Sequence, residues 1–111
     1  MTEFEPGGVY LARFYFSNQT DYKIRPTVVV SNAPFNHSHA SVWACPFTTQ
    51  DSLTEYLLPV PAAEFSGHLE KECGIRTDFL ATVEKGLFLK EIGSLSPRLL
   101  EKLRTRIVQN L

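Results

Sequence analysis

Apolar and polar positions alternate in short runs along most of the chain, which is the pattern of β-strands. The first run is apolar on both faces apart from Arg13, which indicates a strand buried on two sides. In the third run, alternation places Val42 and Ala44 on the face opposite to Trp43. The segment from Asn32 to His39 is predicted as a loop. The predicted strands are Val9 to Phe16, Thr27 to Ser31, Ser41 to Phe47, Glu55 to Pro61, Cys73 to Arg76, Leu80 to Val83 and Leu87 to Ile92, the last closed by Gly93.

A helical period replaces the strand pattern near the C-terminus. Ser96 is a favourable N-cap, and Pro97 follows at the first helical position, where proline is tolerated. We expect the apolar stripe of this helix to pack against the sheet, and a partner-binding helix is the alternative. Short strands at this spacing followed by one helix predict a mainly β (α+β) fold, a small antiparallel barrel with a C-terminal α-helix. The helix is predicted from Pro97 to Asn110, with a stripe of Leu99, Leu100, Leu103, Ile107 and Leu111.

Length and composition predict one globular domain over residues 1–111. The formal net charge of −1 excludes a generic basic coat for nucleic acid, so any polyanion must be bound in a local groove. No signal-like segment is evident, and no run approaches the ~20 apolar residues that span a bilayer. Cys45 and Cys73 lack metal-ligand spacing and are predicted as inert buried thiols. We therefore expect a cytoplasmic protein with reduced thiols and no membrane segment.

The block Arg25-Pro26 stands directly before the β-branched run of the second strand. Proline pushes the residue before it into an extended conformation, so Arg25 is predicted at a strand entrance, aimed out of a loop. A guanidinium at the rim of a sheet is a suitable phosphate ligand, because its planar fork matches phosphate oxygens. An ordinary surface arginine is the alternative interpretation.

Polar side chains recur at other strand ends and in loops. Loops at one rim of a small barrel converge, so these side chains are expected to share a groove. Guanidinium and hydroxyl groups can bind a phosphodiester and neutralise the charge that develops on its oxygens. An RNA substrate can supply its own 2′-hydroxyl as the nucleophile, which would explain why no protein nucleophile with an adjacent base is evident. The candidate groups are Arg25, Thr48-Thr49, and Arg76 with Asp78.

Several of these side chains also have a purely structural interpretation. Thr48 can cap a turn, and Arg76 and Asp78 can form a surface ion pair. His37 and His39 have no third metal ligand nearby, so a solvated loop is expected for them. The aromatic residues Trp43 and Phe47 lie at strand positions and are predicted in the core, with base stacking as the alternative.

The ordered set of motifs resembles the MazF/PemK/Kid toxins of bacterial toxin–antitoxin systems, from Gly7 to the C-terminal helix. The resemblance implies an SH3-like barrel, a homodimer, and a metal-independent endoribonuclease that needs no cofactor and acts on single-stranded RNA, chiefly mRNA. It also implies a cognate antitoxin whose flexible acidic segment covers the RNA groove. The motifs are Gly8-Val9, Lys23-Ile24-Arg25-Pro26, Val28 to Asn32, Pro46 to Gln50, Arg76-Thr77-Asp78 and Ile92 to Ser96.

The resemblance also implies roles for individual residues. Arg25 matches the family's catalytic arginine before proline, and Thr48 matches its catalytic threonine or serine. Arg76 and Asp78 match an Arg-x-Asp pair that some members use in cleavage or in orienting RNA. The chain departs from members with a histidine in the first loop, because residues 17–22 contain none. The expected RNA-binding residues are Phe16, which borders the first loop and is a candidate for base stacking, with Ser17, Asn18, Gln19, Lys23, Thr49 and Gln50.

Two alternatives to a nuclease stay open at this point. Gyrase-poisoning toxins share the barrel but block a protein target, and a fold alone does not separate the two functions. The second alternative is an inactive relative that has kept only its antitoxin-binding groove. The Arg25-Pro26 block together with Thr48 favours the nuclease.

Overall fold

A computed structural model describes residues 4–15, 21–48, 55–69 and 73–111, and β-strands are the main secondary structure of these residues. Within these residues the chain forms eight strands, one more than predicted, and two α-helices. The helices are α1 (Ala33–Ser38) and α2 (Pro97–Gln109). The strands are β1 (Gly8–Tyr15), β2 (Tyr22–Val29), β3 (Ser41–Thr48), β4 (Leu57–Pro59), β5 (Phe65–Gly67), β6 (Gly74–Arg76), β7 (Ala81–Glu84) and β8 (Phe88–Leu95). The predicted mainly β fold with a terminal helix is therefore confirmed.

The strands pair antiparallel in one sheet with the order β4-β6-β3-β2-β1-β8-β5, and β7 pairs with the first half of β3. Among the described residues the end strands β4 and β5 do not pair with each other, so the expected barrel is not closed. The strand predicted from Glu55 to Pro61 is shorter in the structure, where β4 has only three residues. Pro59 and Pro61 lack the N–H groups that a longer ladder would need.

Two hydrophobic cores lie on opposite faces of the sheet. Along β1, Val9 belongs to one core and Tyr10 to the other, which explains why this strand is apolar on both faces. The first core, against α2, contains Val9, Val28, Val30, Cys45, Phe47, Leu58, Ile75, Leu95, Leu99, Leu100, Leu103 and Ile107. The second contains Phe4, Tyr10, Ala12, Phe14, Val29, Val42, Ala44, Val83 and Phe88.

Helix α2 begins where its sequence predicts. The Ser96 hydroxyl accepts a hydrogen bond from the Leu99 N–H at 3.1 Å, and Pro97 occupies the first turn. The apolar stripe packs on the first core through Leu103 and its neighbours, as predicted. Leu111 is the exception, because it lies beyond the end of the helix and is 93% exposed.

Three other predicted boundaries are wrong. The segment from Asn32 to His39 contains α1, because the Asn32 side chain caps the helix by accepting from the Phe35 N–H at 3.0 Å. Strand β2 begins five residues before the predicted Thr27, since its first residues pair with the end of β1. Strand β8 continues through Gly93, where a side chain would collide with the Ser66 carbonyl oxygen of β5.

Candidate active site

A cleft opens between β2 and β3 at the point where the two strands stop pairing. Their ladder ends at Thr27 and Pro46. Before this point β2 pairs with β1, and beyond it β3 pairs with β6. The separated strand ends enclose a volume of about 280 Å³. The cleft is lined by Lys23, Ile24, Arg25, Pro26, Phe47, Thr48 and Cys73.

The Arg25 side chain crosses the gap between β2 and β3. Its Nη1 donates to the carbonyl oxygen of Phe47 at 3.4 Å, a long hydrogen bond. The backbone beneath it is constrained, because Pro26 restricts φ and the Thr27 hydroxyl donates to the Arg25 carbonyl oxygen at 3.1 Å. The half-buried guanidinium is therefore presented to the cleft by a well-defined backbone.

The prediction that Arg25 stands at a strand entrance is wrong. Arg25 lies inside β2, which runs from Tyr22 to Val29. Pro26 is tolerated inside this strand, because the ladder with β3 begins only at Thr27 and leaves the preceding residues at an edge of the sheet. The extended conformation expected for a residue before proline is confirmed.

Thr48 and Lys23 complete the polar lining of the cleft. Thr48 is the last residue of β3, is half-buried and pairs with Gly74 of β6. Lys23 is exposed and adds a second cation on the β2 side. The cleft thus gathers a guanidinium, an ammonium and a hydroxyl group, which together suit a phosphate ligand.

Arg76 and Asp78 form an ion pair outside the lining of this cleft. Nε and Nη2 of Arg76 donate to the two carboxylate oxygens of Asp78 at 3.1 and 3.0 Å. The two side chains are 42% and 39% exposed. The structure therefore brings Arg25 and Thr48 into one cleft and keeps Arg76 and Asp78 engaged with each other beside it.

The ion pair changes the chemistry of the carboxylate. Hydrogen bonds from Arg76 lower the pKa of the Asp78 carboxyl group below its ordinary value. A carboxylate with a lowered pKa accepts a proton less readily, so Asp78 is a weak general base in this arrangement.

The titration of Asp78 is expected to depend on Arg76. In the unmodified chain the carboxyl group should titrate below the ordinary aspartate pKa, and Arg76→Ala should raise its pKa toward that value. Since the folded-state pKa is the lower one, stabilisation by the pair is present above the unfolded-state pKa and is lost as pH falls through the folded-state value. Carboxyl-carbon NMR measures the midpoint, and an Asp78 pKa that does not move would contradict this pairing.

Most of the predicted RNA-binding residues lie outside the described part of the chain, and only Lys23 lies within it, in the cleft. Ile24 and Cys73 line the cleft but were not predicted there. Ile24 is 52% exposed, and its position directly before Arg25 was its only sequence signal. The residues outside the described ranges are Phe16, Ser17, Asn18, Gln19, Thr49 and Gln50.

The predictions for Trp43 and Phe47, which both lie on β3, differ in outcome. Phe47 is buried in the first core, as predicted. The core prediction for Trp43 is wrong, because its side chain is 45% exposed and packs on Phe35 of α1 with ring centroids 4.8 Å apart. His39 stacks on the same Phe35 ring at 3.9 Å, and it is exposed as expected.

Both cysteine thiols are held in their protonated form. Burial raises the pKa of Cys45 to about 12, with a further contribution from the Asp78 carboxylate, and burial also raises the pKa of Cys73. Such thiols are weak nucleophiles at neutral pH. Cys45 is buried as predicted, whereas Cys73 is only half-buried at the cleft. Across the described ranges, no three His, Cys, Asp or Glu side chains are grouped to hold a metal ion.

Comparison with known proteins identifies the family. The sequence profile of the PemK-like, MazF-like toxins of type II toxin–antitoxin systems matches residues 5–111. The chain belongs to this family. The resemblance that the motifs indicated is thereby confirmed over nearly the whole MazF-like chain.

Solved structures share the fold of this MazF-like toxin. An endoribonuclease from a mycobacterial species has a TM-score of 0.76 at 20% identity, over 98% of this chain and 91% of that chain. A MazE–MazF complex from Deinococcus radiodurans has a TM-score of 0.77 at 18% identity, over 96% and 94%. A mycobacterial endoribonuclease in complex with its cognate antitoxin has a TM-score of 0.75 at 20% identity, over 95% and 91%. At these identities the likeness establishes the fold alone.

A search of curated proteins found no match to this MazF-like chain. Within the part of the chain that the structure describes, no helix has the length and apolar character needed to cross a membrane.

Proposed function

We propose that this MazF-like toxin is an endoribonuclease that cleaves single-stranded mRNA at a short sequence without a metal ion. The observation that carries the proposal is the cleft lined jointly by Arg25, Lys23 and Thr48. These side chains can bind a phosphodiester and offset the charge that grows on it during cleavage. The names of two similar solved structures, both endoribonucleases, support the same activity.

In the proposed reaction the RNA supplies its own nucleophile. The 2′-oxygen attacks the adjacent phosphorus and loses its proton, while the bond between phosphorus and the 5′-oxygen breaks and that oxygen gains a proton. The products are a 2′,3′-cyclic phosphate and a 5′-hydroxyl end. Arg25 is assigned to the non-bridging phosphate oxygens and to assistance of proton transfer, and Thr48 donates a hydrogen bond to the same phosphate.

Arg76 and Asp78 are assigned to orienting the RNA beside the cleft. Their mutual hydrogen bonds and their position outside the cleft lining support this role. A direct part in proton transfer would require the Asp78 carboxylate to accept a proton, and its lowered pKa opposes that step.

We further propose that the toxin acts as a cytoplasmic homodimer and is inhibited by a cognate antitoxin. A MazE–MazF complex and an endoribonuclease bound to its cognate antitoxin are among the similar solved structures. A flexible acidic antitoxin segment would complement the charges of Lys23 and Arg25 in the cleft and exclude RNA from it.

Cleavage is expected to survive excess EDTA, because Arg25 and Thr48 rather than a bound metal ion would stabilise the transition state. The purified protein is incubated with mRNA in EDTA, and the fragment ends are mapped and their chemistry determined. We expect 5′-hydroxyl ends at one recurring short sequence. A DNA strand of the same sequence is the control and should stay intact, since it lacks the 2′-hydroxyl group.

Fragments that appear only when a divalent ion is added would contradict the metal-independent mechanism. RNA that stays intact would contradict the nuclease itself, and intact RNA together with inhibition of a protein target would indicate the gyrase-poisoning class instead.

A further inference from the structure

Asp78 occupies one of the donor edges of Arg76 that suit an oxyanion such as phosphate. The Nε and Nη2 groups, a matched pair of donors for two oxygens, both donate to the Asp78 carboxylate at 3.1 and 3.0 Å. The pair as a whole carries no formal net charge. The neighbouring carboxylate therefore weakens the attraction of Arg76 for an RNA phosphate.

The Arg76 guanidinium also lies over an aromatic ring. Its central carbon lies 5.4 Å from the centroid of the Phe79 ring. Phe79 in turn packs edge-to-face on the buried Phe14, with ring centroids 5.6 Å apart. The Arg76 side chain is nevertheless 42% exposed. The guanidinium is thus held against Asp78 and Phe79 while part of the Arg76 side chain stays open to solvent.

We propose that Arg76, held by Asp78, is a platform on which one base of the RNA substrate stacks beside the cleft. The inference rests on the proposed RNA-cleaving function and deepens it by assigning a base-binding subsite. Unstacked bases of single-stranded RNA pack on aromatic rings and on guanidinium planes. The Asp78 carboxylate, hydrogen-bonded along one edge of the guanidinium, offsets its charge, which favours base stacking over phosphate binding.

The platform lies close enough to the cleft to serve a base next to the bound phosphate. Gly74 of β6 pairs with Thr48, which lines the cleft. Arg76 follows Gly74 by two residues on the same strand, so it projects from the same face about 7 Å along β6. An RNA strand whose phosphate lies at Thr48 can therefore extend its neighbouring base toward Arg76.

The turn that carries the ion pair is hydrogen-bonded to two other segments of the chain. The buried Thr77 donates to the Tyr56 carbonyl oxygen through its N–H at 2.8 Å and through its hydroxyl at 2.6 Å. The Thr77 carbonyl oxygen accepts from the side-chain amide of Asn110, at the end of α2, at 3.0 Å. A surface that is already ordered loses little conformational entropy when a base stacks on it.

The test measures binding of short 2′-O-methyl RNA oligonucleotides, which cannot be cleaved because the nucleophile is blocked. Fluorescence anisotropy at several salt concentrations compares the unmodified chain with Arg76→Lys and with the double variant Arg76→Ala/Asp78→Ala. Arg76→Lys keeps the charge but removes the flat group, and the double variant removes the pair without changing net charge. Both should bind about five- to a hundredfold more weakly, with an unchanged slope of log affinity against log salt.

An abasic unit placed at each position in turn identifies the stacked base. One position should weaken binding to the unmodified chain and have no effect on binding to either variant. Lys23→Ala, which removes a cleft cation, should instead reduce the salt slope by about 0.7. The platform is refuted if Arg76→Lys binds like the unmodified chain, or if the double variant reduces the salt slope as Lys23→Ala does. RNA cleavage by the unmodified chain, measured in parallel, shows separately whether the proposed function holds.

Discussion

Arg25→Ala is expected to reduce cleavage of a short fluorogenic RNA–DNA chimera by about 10³-fold or more. Arg25 is the only arginine among the residues that line the described cleft, so its removal leaves the charge on the phosphorane without a guanidinium. Lys23 remains, but it is exposed and would act as a mobile point charge without a planar fork. The loss should therefore appear mainly in kcat, because the charge develops in the transition state.

The same substitution is expected to leave the fold intact. Arg25 belongs to neither hydrophobic core, and its hydrogen bond to the Phe47 carbonyl oxygen is long. The melting temperature should therefore change by no more than a few degrees. Arg98→Ala is the matched control, because Arg98 is exposed on α2 and lies outside the cleft, and it should keep full activity. Cleavage that persists in Arg25→Ala would remove Arg25 from the mechanism.

Leu103→Asp is expected to unfold the protein. Leu103 is fully buried at the centre of the contact between α2 and the sheet. The substitution removes an apolar side chain from a packed core and places a carboxylate there with no described partner. Truncation of a buried leucine alone costs about 2–5 kcal/mol, and the buried charge adds to that. The sum approaches the whole stability of a domain of this size, about 5–15 kcal/mol.

Urea denaturation followed by circular dichroism checks the prediction. Thr105→Asp is the matched control, since it introduces the same carboxylate two residues away on the exposed side of α2. The control should change the unfolding free energy by no more than about 0.5 kcal/mol. An unchanged denaturation curve for Leu103→Asp would mean that α2 is not docked on the sheet in solution.

Local patterns were enough to predict several parts of this fold. The two-sided apolar character of β1 predicted burial on both faces, and the structure has a core on each side of it. Ser96 and Pro97 predicted the start of α2, because an N-cap and a first-turn proline act through their immediate neighbours. These features depend on interactions within a few residues, which the order of amino acids determines directly.

Those local patterns do not predict which strands pair with each other. Strand β2 extends to Tyr22 only because β1 lies beside it, so Arg25 stands inside a strand and not at its entrance. The 45% exposure of Trp43 likewise depends on tertiary packing, since its ring packs against Phe35 of α1 and belongs to neither core. The short Asn-capped helix was readable from Asn32 in principle, but a six-residue helix has too few turns for a periodic signal.

For the candidate site, sequence alone determined which chemical groups are present: a guanidinium before a proline, a threonine at a strand end and an Arg-x-Asp pair. Only the tertiary structure decided their arrangement. The divergence of β2 and β3 places Arg25 and Thr48 in one cleft. The turn after β6 places Asp78 where it accepts hydrogen bonds from Arg76, beside that cleft. The reason is that these residues are far apart along the chain, and their spacing in three dimensions depends on strand register, which no single segment encodes.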